Sequence, residues 1–156
     1  MTTPDSITIR TGGSEDVETI AAFNGRLAME TEGKILDADT VRSGVARGLN
    51  LKDEVTYLLA EVEGKVVGQL MLTREWSDWR DGWIYWIQSV YVDEATRSRG
   101  IFRRLLAAAR ERLREHGDVC CLRLYVEDEN TAAMTTYNRL GFHFPGYRVM
   151  EMQLND

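Results

Sequence analysis

Apolar and polar positions along this chain switch between a period of two and a period near 3.6, and the switches mark its elements. Ile7-Thr8-Ile9-Arg10 alternates singly, the spacing of a strand, and Gly12-Gly13 closes it. Ser14 is placed to cap a helix, with Glu15 and Asp16 suited to its positively polarised first turn. Val17, Ile20, Ala21, Asn24, Leu27 and Ala28 then share one helical face, and the pattern gives out near Thr31-Glu32-Gly33. A second helix is predicted from Asp39, with Val41, Val45 and Leu49 as its buried stripe. Thr56–Glu61 and Val66–Leu72 read as a hairpin joined by Glu63-Gly64-Lys65. The polar stretch Thr73–Gly82 reads as an exposed loop, and Trp83–Val92, aromatic and β-branched, as a central strand.

The strongest amphipathic pattern follows. Phe102, Leu105, Leu106, Ala109 and Leu113 form one face from Ile101 to His116, with arginines largely outside it and Gly117 as its stop. Val119–Val126 is predicted as a fifth strand. Asn130 is predicted to cap a fourth helix with Ala133, Tyr137 and Leu140 on one face and Gly141 just past its end. Phe142–Phe144 and Tyr147–Leu154, split by Pro145-Gly146, are predicted as two last strands. The order β-α-α-β-β-β-α-β-α-β-β implies an α/β fold: one domain over residues 1–156, with a mixed central sheet flanked by helices on both faces.

Composition narrows the function classes. The chain has 156 residues, 44% hydrophobic and 28% charged, enough for one domain with a real core. A net charge of −6 gives a nucleic-acid partner no global electrostatic support. No apolar run approaches the ~20 residues that cross a bilayer, and the polar start Met1–Ser6 does not read as a signal peptide. The two cysteines, Cys120 and Cys121, are adjacent, so no ordinary disulfide framework is expected. No Cys/His spacing points to a metal. The expectation is a cytoplasmic protein with no metal, no nucleic acid and no membrane among its partners.

The candidate chemistry begins where the central strand meets the third helix, at Arg97-Ser98-Arg99-Gly100-Ile101-Phe102-Arg103-Arg104. A helix N-terminus leaves about four N–H groups unpaired and carries roughly half a positive charge. Gly100 admits an anion close to the backbone, and arginines donate charge-assisted hydrogen bonds to phosphate oxygens. Together these parts can cradle a phosphate or pyrophosphate. The blander account is a turn that needs its glycine, beside solvated arginines.

The order Arg97-x-x-Gly100-x-Phe102 resembles the acyl-CoA signature of the GCN5-related N-acetyltransferases, the GNAT family, with Phe102 standing where the family has Gly or Ala. One strand later, Asn130-x-x-Ala133-x-x-x-Tyr137-x-x-x-Gly141-Phe142 is similar to the family's second block. The resemblance covers nearly the whole chain and implies an acyl-CoA N-acyltransferase fold that moves an acetyl group from acetyl-CoA, as co-substrate, to a primary amine. It implies a donor site made of Val90, Tyr91, Val92, Arg97, Ser98, Arg99, Gly100, Ile101, Phe102 and Arg103, joined by Asn130, Ala133 and Tyr137. In that site the pantetheine arm pairs with the strand edge Val90-Tyr91-Val92, the 100–103 amides face the pyrophosphate, and Tyr137 protonates the leaving thiolate.

The acceptor side is less constrained. Where some family members carry a strand-four glutamate this chain has Trp86, with Gln88 next on that face, and neither accepts a proton. Glu30 and Glu32, at the end of the first helix, are the carboxylates left for substrate contact, with Glu30 as the candidate base or a solvated helix end as the alternative. Trp76, in the polar loop, joins Trp86 and Gln88 as a candidate substrate contact, and nearby Glu75, Asp78 and Asp81 would suit a cationic acceptor. The expected partner is a small-molecule amine, with a homodimer as the only protein assembly considered. Two other readings stay open: acetylation of a protein lysine or N-terminus, and a non-catalytic acyl-CoA-binding module.

Overall fold

The computed structural model describes residues 6–155, which divide after Leu124 into two compact units. In the first, five strands lie in sequence order: β1 (Ile7–Thr11), β2 (Val55–Val62), β3 (Lys65–Ser77), β4 (Gly82–Val92) and β5 (Val119–Leu124). The first four pair antiparallel and β5 joins β4 in parallel, so the sheet is mixed. The parallel step is made by α3 (Ile101–His116), the crossover such a connection requires.

Helices cover both faces of this sheet. On one side α1 (Val17–Glu32) and α2 (Ala38–Leu49) bury Ile20 and Val45 against Tyr57 and Leu59 of β2. On the other, α3 lies across the sheet with Ile101, Leu105, Leu106, Ala109 and Leu113 buried. Ile101, rather than the half-buried Phe102, opens that stripe. Gly68 on β3 lets the helix come close, since a Cβ there would lie 2.8 Å from Ile101 Cγ2 and 3.5 Å from Leu105 Cδ1. The start of α3 is therefore held tightly against β3 at Gly68, the residue that pairs with Val92 at the end of β4.

Several local expectations change. Ser14 does not cap α1; residues Ser14–Asp16 form a 3₁₀ turn after Gly13 instead. Asp16 is the reason. It is buried, takes both terminal nitrogens of Arg10 at 2.8 Å and accepts the Gly13 N–H at 2.8 Å, a ring of charge-assisted bonds worth more than a serine cap. Asp37, not Asp39, precedes the second helix, and its carboxylate accepts the Thr40 N–H at 2.9 Å. The β2–β3 turn has two residues, Glu63 and Gly64, both at positive φ, the geometry that matches strand twist.

The largest change concerns residues 73–82. The expected loop is mostly strand: β3 runs on to Ser77, β4 begins at Gly82, and only the short turn 78–81 joins them. Cross-strand contacts sustain this hairpin. Trp76 stacks edge-on against Trp83 at 5.0 Å, and the Arg74 guanidinium lies 4.2 Å from the Trp83 ring.

The second unit contains α4 (Thr131–Arg139), capped as expected by Asn130, whose Oδ1 accepts the Ala133 N–H at 3.1 Å. Gly141 follows the helix end at φ +100°. The strands expected at Phe142–Phe144 and Tyr147–Leu154 are absent, as is any continuation of β5 through Tyr125 and Val126. Alternation makes a strand only where a neighbouring ladder takes its backbone groups. Among the described residues none does so for 142–155, and Val149, Met150, Met152 and Leu154 stay exposed.

Candidate active site

The site grows from what happens to β4 halfway along its length. On one side β4 pairs with β3 as far as Val92↔Gly68. On the other its ladder with β5 stops at Ile87↔Leu124. Among the described residues Gln88–Val92 thus run on with no strand paired to them on that side, although β4 lies inside the sheet. Apart from Ser89 O and Val92 O, which accept from Gln69 and Arg97, their outward backbone groups are left to bind something extended. Val90, Tyr91 and Val92 all fall in this stretch.

At the same point the strand is bulged. Ser89 and Val90 together face the single residue Leu70 of β3, and Ser89 takes φ +52°, rare for a residue with a side chain. The extra residue shifts the side-chain phase, so Gln88 and Tyr91 project to the same face, opposite Met71 and Gln69. Gln69 is fully buried, and its amide nitrogen donates to Ser89 O at 3.1 Å and to Asn24 Oδ1 at 2.9 Å.

Beyond β4 the chain makes one 3₁₀ turn, Glu94–Thr96, then Ser98 at φ +67° and Gly100 at φ +76° on either side of Arg99. Left-handed residues in such a turn direct backbone N–H groups into a concavity that suits anions. Gly100 precedes α3 directly, no side chain caps the helix, and a Cβ at Gly100 would meet nothing within 4 Å. The approach to the helix terminus is open, and its backbone conformation favours glycine. Arg99 and Arg103 are exposed and have no ion-pair partner among the described residues. These features fit a diphosphate.

Arg97 is engaged differently. Its Nε donates to Val92 O at 2.9 Å, its Nη2 donates to Glu30 Oε2 at 2.7 Å, and its guanidinium lies 5.4 Å from the Tyr91 ring. The Glu30 carboxylate holds the Arg97 guanidinium above its ordinary range. Arg97 therefore ties the end of α1 to the end of β4. Phe23 stacks on Tyr91 at 5.0 Å, and Arg26 reaches Asp93 at 3.7 Å, along the same seam. Glu30 and Arg97, expected on the acceptor and donor sides, thus meet directly. Glu32 lies two residues on at the helix end, 3.8 Å from Lys34.

The remaining candidates separate. Gln88 donates to Thr73 Oγ1 at 2.7 Å, and Trp86 Nε1 donates to Glu75 Oε1 at 2.9 Å. Arg123 of β5 approaches Glu75 at 3.7 Å and lies 5.9 Å from the Trp86 ring, so Glu75, Trp86 and Arg123 form one cluster across three strands. Trp76 pairs with Trp83 and Trp86 with Thr73, which puts Trp76 and Trp86 on opposite faces of the sheet. In the second unit Tyr137 packs edge-on against Phe142 at 5.8 Å, and burial pushes its phenol above the ordinary value, so the proton is held at neutral pH. Ala133 lies on the same helix, its N–H taken by Asn130.

Asn24, Gly68, Gln69, Ser89 and Arg123 enter the site only with the structure, whereas Glu75 was already a candidate for drawing a cationic acceptor. One signal was present: Gln69 is the lone polar residue in the run Val66–Leu72 apart from Gly68. The bulge at Ser89 has no signature in the sequence.

An open seam in a mixed sheet, ending on an uncapped helix behind a left-handed glycine, is the arrangement of an acyl-CoA-dependent transferase fold, and comparison with known proteins agrees. Residues 26–142 match the family model described as the Acetyltransferase (GNAT) family. The chain belongs to this family. It is similar to the acetyltransferase Atu2258 of Agrobacterium fabrum, at 43% identity over 39% of this chain and 42% of that protein. It is also similar to the mycothiol acetyltransferase of Gordonia bronchialis, at 29% identity over 88% of this chain and 44% of that protein. The chain thus covers less than half the length of either relative. A solved structure described as a possible acetyltransferase from Clostridium difficile 630 superposes with a TM-score of 0.90 and 41% identity, covering 97% of this chain and 100% of that one. Among the described residues no helix is long and apolar enough to cross a membrane, and no group of three or more His, Cys, Asp or Glu side chains could hold a metal ion.

Proposed function

We propose that this chain transfers an acetyl group from acetyl-CoA to the primary amine of a small molecule, in the cytoplasm, by direct attack while both substrates are bound. The observation that carries this reading is the parting of β4 from β5 after Ile87, directly upstream of the uncapped α3 terminus. The edge of Val90-Tyr91-Val92, open to a ligand except at Val92 O, takes the peptide-like pantetheine arm. Gly100 and the amides of residues 101–103, with Ser98, Arg99 and Arg103, take the diphosphate. Arg97 braces this cradle through Glu30 and Val92 O.

When bound, acetyl-CoA supplies the acyl carbon that the amine nitrogen attacks as the C–S bond breaks. A β4 backbone N–H at the bulge stabilises the charge that grows on the carbonyl oxygen. An alkylammonium has a pKa near 10, so at pH 7 only about one molecule in a thousand is nucleophilic and a proton must be removed. Glu30 keeps Oε1 outside its bond to Arg97 and is the candidate acceptor of that proton, with Glu32 adding negative charge that draws a cationic amine. Trp86 and Gln88 form the wall of the acceptor site. By the family resemblance Tyr137 returns a proton to the thiolate and Asn130 and Ala133 contact the pantetheine arm. The phenol carries its proton at neutral pH, as that role requires, although burial makes it a weaker acid than a free tyrosine.

A panel of small amines, lysine-containing peptides and N-terminal peptides, assayed for acetyl-CoA-dependent thiol release, tests the reading. Turnover with a small amine is the expected result. Turnover with peptides alone would replace the acceptor, and binding of acetyl-CoA with no turnover on any amine would make the chain a binding module.

A further inference from the structure

Two polar side chains are buried in the described residues, and only one has an evident structural reason. Asp16 answers Arg10; Gln69 sits among Val67, Leu70 and Leu72 in the middle of β3. A buried amide is costly unless it is bonded, and an apolar residue of the same size would fill the position without that cost. Both Nε2 protons of Gln69 are used, one on Asn24 Oδ1 and one on Ser89 O, while Oε1 has no partner among the described residues. Gln69 therefore tolerates an unmet acceptor in order to keep one amide group on the bulge of β4.

That bulge lies where direction matters most. Ser89 follows the last β4 residues with a β5 neighbour by two positions, and its positive φ turns the backbone at the start of the unpaired stretch. A serine does not hold this conformation unaided, and surrounding structure must impose it. The Ser89 carbonyl is gripped by Gln69, whose amide is in turn fixed by Asn24 on α1. We infer that Gln69, steadied by Asn24, is a positioning residue: it holds the Ser89–Val90 bulge so that a β4 backbone N–H points at the thioester oxygen. The inference rests on the acetyl-transfer reading above. It gives that reaction a device that touches neither substrate.

The test uses acetyl-CoA labelled with ¹³C at the carbonyl and isotope-edited infrared spectroscopy of its complex with the whole chain. A backbone N–H aimed at the oxygen lowers the carbonyl stretch relative to free acetyl-CoA. In Gln69→Met, which keeps the volume and removes both donors, the band should return toward the free position. With the amine chosen by the panel, kcat should fall on the order of 10²-fold at an unchanged KM for acetyl-CoA. CoA, which has no acetyl group, should bind parent and variant alike. Asn24→Ala, at a half-buried helix position, should move band and kcat in the same direction by less, and carries the test if Gln69→Met does not fold. A parental band and parental kcat in the folded Gln69→Met protein, or in Asn24→Ala should that variant alone fold, overturn the positioning role. Failure of the parent chain to bind acetyl-CoA would overturn the proposed function itself, a separate result.

Discussion

Adding one methyl group at Gly68 probes the link between packing and donor binding. The Cβ of Gly68→Ala would stand 2.8 Å from Ile101 Cγ2, 3.4 Å from the Tyr91 carbonyl oxygen and 3.5 Å from Leu105 Cδ1. The last two are tolerable contacts. The first falls about 0.6 Å short of the 3.4 Å where ordinary contact begins, so Ile101 must move. Ile101 is 2% exposed and is the first residue of α3, so it has little room to turn and its shift is passed to the helix terminus. Overpacking a core costs about 1–3 kcal/mol, and exchanging a strand glycine for alanine returns about 0.5–1 kcal/mol. The net expectation is a loss of up to about 2 kcal/mol, a few degrees in Tm for a domain of this size. Acetyl-CoA affinity should fall further than stability alone explains, because the displaced atoms begin the cradle. Thermal melting and calorimetric titration of the folded variant measure both. A Gly68→Ala protein with parental Tm and parental affinity would show that α3 is not seated as tightly as this argument requires.

Three further outcomes follow. Glu30→Gln removes the charge partner of Arg97, and since both side chains are about two-fifths exposed, stability should change by less than about 1 kcal/mol, while kcat or the acceptor KM worsens; parental kinetics would return Glu30 to a purely bracing role. Tyr137→Phe keeps the ring against Phe142 and should lower kcat by about 10²–10⁴-fold with little change in acetyl-CoA affinity; parental kcat, where chemistry limits the rate, would remove the hydroxyl from the mechanism. The Arg10 guanidinium, opposed by burial and aided by the Gly13 N–H, holds Asp16 below its ordinary pKa, so its stabilisation is complete above about pH 4 and drains away as pH falls through the folded value. Asp16→Asn should lose about 1–3 kcal/mol at neutral pH and lack that part of the acid-induced loss, and an acid profile identical to the parent's would contradict the assignment.

How much of this was legible in the sequence varies with how local the deciding forces are. The span of α3, Ile101–His116, was readable to the residue because a strong apolar stripe lies between Gly100 and Gly117. Asn130 was readable as a cap for the same reason: its bond closes three residues away. Residues 73–82 were misread because Glu75, Asp78, Arg80 and Asp81 look like loop. The contacts that make them a hairpin, Arg74 over Trp83 and Trp86 on Glu75, cross between strands. The Ser14 cap lost to Arg10, a residue of the preceding strand. Arg97 and Glu30 were both singled out, yet nothing along the chain indicated that they would bond to each other across 67 positions. The bulge at Ser89 depends on Gln69 and Asn24 at once, and a register shift is invisible until both strands are in place.

The most direct test of the account is where acetyl-CoA lands. Backbone amide resonances of the ¹⁵N-labelled chain, followed during titration with acetyl-CoA, report this residue by residue. The expected changes centre on Gln88–Val92 and on Ser98–Arg103, in slow or intermediate exchange, with the turn 78–81 undisturbed. Perturbation concentrated at that turn, or no perturbation of either stretch at saturating acetyl-CoA, would contradict the central claim that the open edge of β4 and the start of α3 form the donor site.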